Sequence, residues 1–153
     1  MNIGERAKDF LSEKRIAIIG VSRNQRDFSR VLFREFLKRG YDVIPVNPAM
    51  LQVEDQPCFA NIGLISPPPA AALVMTKAEA AEDLLGECAR CGIRKVWLYR
   101  ATGKCRLSNK ASELCARDGI EVIAGYCPFL FLPQAGLIHR FHRALLSIAT
   151  PGL

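Results

Sequence analysis

The 153-residue chain has no run of apolar residues approaching the roughly 18 needed to cross a membrane. Its opening stretch, Met1 to Lys14, is rich in charge and lacks the uninterrupted apolar core of an export signal. A cytoplasmic protein with no membrane partner is the expectation. There is also no linker, no low-complexity tract and no second composition block, so one domain spanning residues 1–153 is expected. Histidine is scarce: His139 and His142 are the only two, three residues apart and without further ligands, which argues against a metal centre. Two phosphate-binding signatures are missing as well. The chain has neither a Gly-x-Gly-x-x-Gly fingerprint nor a Gly-Lys-Ser/Thr loop.

What is present is ordinary globular composition, 50% hydrophobic and 24% charged. The net charge of +6 suits an anionic partner, although a mildly basic solvated surface would give the same sum. Nucleic acid is disfavoured because no aromatic and basic platform accompanies the charge. Six cysteines, at 58, 88, 91, 105, 115 and 127, are expected to be reduced thiols, several of them packing as small hydrophobes.

Patterning points to alternating helices and strands. Ile3, Ala7, Phe10 and Leu11 are spaced for a short amphipathic helix, and Arg15 to Ile19 is a β-branched run ending in Gly20. Three joints follow in which a helical stretch ends in glycine and a strand begins, at Gly40, Gly92 and Gly119. The helices run from about 29 to 39, 78 to 91 and 108 to 118; strands lie near 15–19, 42–46, 72–76, 95–99 and 120–124. This is an α/β, doubly wound, Rossmann-like domain with a five-stranded parallel sheet and right-handed crossovers. Residues 49–71 carry Pro67-Pro68-Pro69 and read as loop with at most a short helix. A last helix is expected over about 135–149.

In such sheets a ligand sits beyond the carboxyl ends of the strands, where the strand order reverses. Here the loop after the first strand offers Gly20 for a tight turn and Val21 beside it. It also offers the hydroxyls of Ser22 and Ser29 and the cations of Arg23, Arg26 and Arg30, ahead of a helix N-terminus suited to phosphate. The competing reading is a solvated loop with Ser29 capping the helix. The second strand ends in Val46-Asn47-Pro48, with no acid to bond a ribose 2′-hydroxyl, which weighs against NAD and tolerates a phosphorylated ribose.

The stretches Ile16-Ala17-Ile18-Ile19-Gly20-Val21-Ser22 and Gly40-Tyr41-Asp42-Val43-Ile44-Pro45-Val46-Asn47-Pro48 resemble the small CoA-binding-domain proteins. Through them the chain is similar to the CoA domain of the succinyl-CoA synthetase alpha subunit. Lys95-Val96-Trp97-Leu98, the Gly119 joint and Cys127-Pro128 fit in order and spacing, so the resemblance spans roughly residues 3–130. It implies the strand order 3-2-1-4-5. It also implies the CoA pyrophosphate on the Gly20–Ser22 loop, the 3′-phosphoadenosine near Val46, Asn47 and Pro48, and Met75, Thr76 and Lys77 bordering the adenine or pantetheine. Where the family has an acidic residue near the third strand, a Gln after Trp-Leu and Asp-Arg before Cys-Pro, this chain has Ala70-Ala71-Ala72, Tyr99 and Gly125-Tyr126. The apolar ending from Phe129 onward also differs.

The expected function is binding of coenzyme A or an acyl-CoA without catalysis. Cys127, at the ligand edge, could meet the pantetheine thiol or be a structural thiol. Cys88-Ala89-Arg90-Cys91 has redox spacing but stands at a helix end, where the dipole does not favour a thiolate, and is read as packing. The synthetase relatives use a phosphohistidine on a second domain that this sequence does not supply, so ligase activity is not expected. The alternatives are a nicotinamide- or other nucleotide-dependent enzyme, and a cysteine-based redox or interaction protein that pairs with itself or a partner through the C-terminal helix.

Overall fold

Alternation along the first strand sets the architecture. In β1 (Arg15–Ile19), Ile16 and Ile18 point to one side of the sheet and Ala17 and Ile19 to the other, and all four are buried. The same split runs through β2 (Asp42–Val46), β5 (Ala71–Val74) and β6 (Lys95–Leu98). A strand buried on both faces needs helices on both, and the computed structural model, which describes residues 1–100 and 105–133, has them. On the first face α1 (Ile3–Ser12) and α2 (Phe28–Lys38) pack Phe10, Leu32, Phe33 and Phe36 against Ile16, Ile18 and Trp97. On the second, α3 (Ala78–Arg90) and α4 (Asn109–Asp118) pack Leu85, Cys88, Ala111 and Cys115 against Ala17, Val74, Val96 and Leu98. The strand β7 (Glu121–Ala124) closes the sheet.

All pairings among the five long strands are parallel. Their order is β2-β1-β5-β6-β7. The expected 3-2-1-4-5 is therefore corrected: the strand near 72–76 lies beside β1, not beyond β2. The reason is in residues 49–70. This segment forms a two-residue-stranded hairpin, β3 (Gln52–Val53) and β4 (Gln56–Pro57), and then touches β2 through one parallel bridge between Val46 and Phe59. Asn47 N–H donates to Phe59 O (2.9 Å) and Phe59 N–H to Pro45 O (3.0 Å). Phe59 thus holds the place of a third strand shortened to a single rung. A 3-10 turn (Ile62–Leu64) then leads the chain back across β1 to start β5. Counting that rung, the order is 3-2-1-4-5-6, the dinucleotide-type winding, with its reversal between β1 and β5.

The segment 49–71, expected as loop with at most a short helix, carries the β3–β4 hairpin as well as its 3-10 turn. The glycine joints at 40, 92 and 119 all have left-handed backbone, with φ of 80°, 77° and 65°. The helices begin and end within a residue or two of the expected bounds. The helix expected over 135–149, with His139 and His142, lies outside the described residues. No helix among the described residues is long and apolar enough to cross a membrane.

Candidate functional site

The reversal between β1 and β5 brings two loops together above the sheet. Gly20 ends β1 with φ of +91°. Its N–H donates to Val46 O (3.0 Å), while Met75 N–H donates to Ile19 O (2.9 Å), so the tips of β1, β2 and β5 are tied side by side. The fit is tight: a Cβ on Gly20 would stand 2.9 Å from Thr76 Cγ2 and 3.2 Å from the Met75 carbonyl carbon. Only glycine allows both the backbone angle and this approach.

Beside this contact lies a largely apolar cavity of about 370 Å³, within the range of small-molecule sites. Gly20, Val46, Asn47, Pro48 and Thr76, all named from sequence, line it. So do Asn61 and Ile62 of the shortened third-strand segment and Ala80, Asp83, Leu84 and Glu87 of α3, which were not named. Their signal was available: 80, 84 and 87 fall on one helical face, next to the stripe that packs on the sheet. The Thr76 hydroxyl oxygen is buried and makes no hydrogen bond within the described protein, which leaves it for a ligand or a water at that spot.

Asn47 works as a clamp. Its Nδ2 donates to Val21 O (2.7 Å) and its Oδ1 accepts from Ala49 N–H (2.8 Å), joining the loops after β1 and β2. Val21 is wholly buried. Pro48 is exposed at the cavity rim.

The loop from Ser22 to Arg30 is organised differently from the expectation of a helix N-terminus open to phosphate. Asp27 caps α2: its carboxylate accepts from Ser29 N–H (2.8 Å) and from the Ser29 hydroxyl (2.5 Å). The Ser29 oxygen in turn accepts from Ser22 N–H (2.9 Å). The first turn of α2 is therefore already served by a carboxylate of the chain. Arg30 is buried at 5% exposure, donating to Glu54 (2.7 Å) and Ser22 O (3.2 Å), and Arg34 joins it on Glu54 (2.8 Å). Glu54 is held below the usual carboxylate range by Arg30 first and then Arg34. Arg30 thus ties α2 to the β3–β4 turn. Arg23 and Arg26 are exposed and form no ion pair among the described residues. Lys77 is exposed at the start of α3, whose N-terminus has no side-chain cap.

Cys127 stands apart from the cavity, packed on the first face of the sheet with Phe28, Tyr99 and Phe129 for company. Burial pushes its thiol pKa up, and hydrogen bonds from the Phe129 backbone, the Tyr99 hydroxyl and the Leu130 backbone oppose this; Tyr99 itself is pushed up to about 12, chiefly by burial. Cys88 is likewise pushed up to about 12 by burial, in keeping with its packing role. Among the described residues no group of three His, Cys, Asp or Glu side chains is placed to hold a metal ion.

A family model described as a CoA binding domain matches residues 14–133. Among solved structures, a hypothetical protein from Pyrococcus horikoshii has a TM-score of 0.71 at 22% identity, over 94% of this chain and 92% of that one. A Thermus thermophilus protein, cell-free ID.343, gives 0.72 at 21% identity over 93% and 98%. A dinucleotide-forming acetyl-coenzyme A synthetase from Ca. Korarchaeum cryptofilum gives 0.62 at 15% identity, covering 72% of this chain but 25% of that enzyme. No curated protein matches the sequence significantly.

Proposed function

The chain belongs to the CoA-binding-domain family, and from that premise we propose that it binds coenzyme A or an acyl-CoA in the crevice between β1 and β5, without catalysis of its own. The observation that carries this reading is the Gly20–Thr76 approach beside a cavity of about 370 Å³, at the point where the strand order reverses. The coenzyme's adenosine would occupy that cavity, against Val46, Pro48 and Leu84. Its pyrophosphate would pass the Gly20–Thr76 rim, where the buried Thr76 hydroxyl and the uncapped start of α3 with Lys77 offer donors and positive charge. Arg23 and Arg26, exposed on the next loop, add to the positive field. Asn47 and Arg30 act as positioning residues, Asn47 through its bonds to Val21 and Ala49 and Arg30 through its bonds to Ser22 and Glu54, although the buried Arg30 Nε has no partner among the described residues.

A binding role fits the thiols. Burial raises Cys58, Cys88, Cys105, Cys115 and Cys127 alike, so each is a protonated thiol near neutral pH and a poor nucleophile. The bound thioester would be presented to another protein.

Calorimetry on the reduced protein tests the reading, with NAD and ADP as comparators. Saturable heat with CoA, and less with NAD, is expected. Binding of NAD with no response to CoA would overturn it.

A further inference from the structure

The wall of the cavity carries an unexpected charge pattern. Thirteen residues line it: Asp83 and Glu87 of α3 bring two carboxylates, and none of the rest is Lys or Arg. Arg90 of α3 and Lys110 of α4 border the neighbouring groove between the two helices, which Asp83 and Glu87 share. Lys77 is outside the lining.

The tip of β2 meanwhile has no acid, as Val46-Asn47-Pro48 shows. Its Asn47 amide is held in place by one hydrogen bond at each end, the nitrogen on Val21 and the oxygen on Ala49. In dinucleotide folds an acid at that tip accepts hydrogen bonds from ribose hydroxyls and repels a ribose phosphate. Here α3 supplies the acid from across the cavity. Carboxylates accept from an adenine amino group or a ribose hydroxyl, and they repel a phosphate.

We propose that this cavity selects adenine nucleotides whose ribose carries no phosphate. The inference rests on the coenzyme reading above and alters it in one respect: the 3′-phosphate of CoA opposes binding, so dephospho-CoA is the tighter ligand. Recognition then comes from the adenine, the 5′-pyrophosphate and the pantetheine arm.

Titration of CoA and dephospho-CoA into the reduced protein at low and at moderate salt tests this. Dephospho-CoA is expected to bind about tenfold more tightly at low salt, the scale of repulsion between charges a few ångström apart beside solvent. Salt screens repulsion, so the gap should narrow as salt rises. In the double variant Asp83→Asn, Glu87→Gln the gap should close, because CoA gains affinity as the repulsion goes while dephospho-CoA loses some with the carboxylate acceptors. Both positions are at least partly exposed on α3, so the fold should be retained. CoA binding more tightly than dephospho-CoA, with an advantage that shrinks on adding salt, would overturn the proposal. The matched pair AMP and adenosine 3′,5′-bisphosphate separates the two readings. A preference for AMP with no response to either coenzyme would sink the CoA reading and leave the selectivity standing. Silence from all four would sink both.

Discussion

Replacing Gly20 by alanine adds one methyl group at a place where two separate costs can be told apart. The first is the backbone. Gly20 has φ of +91°, and an L residue held in left-handed space costs about 1–2 kcal/mol. The second is contact: the new Cβ would stand 2.9 Å from Thr76 Cγ2 and 3.2 Å from both the Met75 carbonyl carbon and its oxygen. Overpacking of this kind adds about 1–3 kcal/mol, because backbone must shift to relieve it. Gly40 is the control. Its φ is +80°, and its added Cβ would meet nothing within 4 Å, so Gly40→Ala should show the backbone cost alone. Urea unfolding should give losses of about 2–5 kcal/mol for Gly20→Ala and about 1–2 kcal/mol for Gly40→Ala. Only the first should also weaken CoA binding, since relief of the clash pushes the β5–α3 loop off the rim. Adding Thr76→Ser, which removes Cγ2, should restore part of the stability, not all, as the Met75 carbonyl remains. Equal losses for the two alanine variants, with CoA affinity unchanged in both, would refute the reasoning.

Other expectations follow from the same contacts. Asn47→Asp keeps the acceptor for Ala49 but sets a carboxylate oxygen against the Val21 carbonyl; denaturant melting should show a loss of about 1–3 kcal/mol. Because Arg30 and Arg34 hold Glu54 below its ordinary 4.5, the pair's contribution is complete above that value and fades as pH falls through the lowered one. Glu54→Gln should therefore lower stability at pH 7 and flatten the acid limb of the stability curve, leaving the two proteins more alike near pH 3. Carbamidomethylation of Cys127, followed by peptide mass spectrometry at pH 8, should be slower than that of a free cysteine, since burial raises its thiol. Tyr99→Phe removes one of the three hydrogen bonds that oppose that rise, those of the Phe129 and Leu130 backbone remaining, and should slow it somewhat further, provided the ring packing is kept.

Alternating and helical periodicity carried most of the architecture. β1 shows why: each of Ile16, Ala17, Ile18 and Ile19 is buried, so the apolar run and the glycine after it were sufficient. The strand order was not legible, because it depends on where 49–70 runs. That segment has no periodic pattern; its contact with β2 is one rung at Phe59, set by tertiary packing. At the site, Gly20, Val46, Asn47, Pro48 and Thr76 converge because they stand at strand tips, a position the sequence marks. The loop arginines were harder. Whether Arg30 faces a ligand or the interior turns on Glu54, which is distant in sequence and comes near only through the β3–β4 turn. Asp27 could have been recognised as the cap of α2 in place of Ser29, since both residue types favour that position. Asp83 and Glu87 stand on a flank of α3 where charged residues read as solvated, and the cavity lies along that flank.

The most direct test of the account is an amide NMR titration of the reduced protein with CoA. Saturable shifts are expected at the backbone amides of Gly20 and Thr76 and at the side-chain amide of Asn61, with the α1 face of the sheet quiet. Saturable shifts confined to α1 or α4, or a spectrum unmoved by CoA, would contradict it.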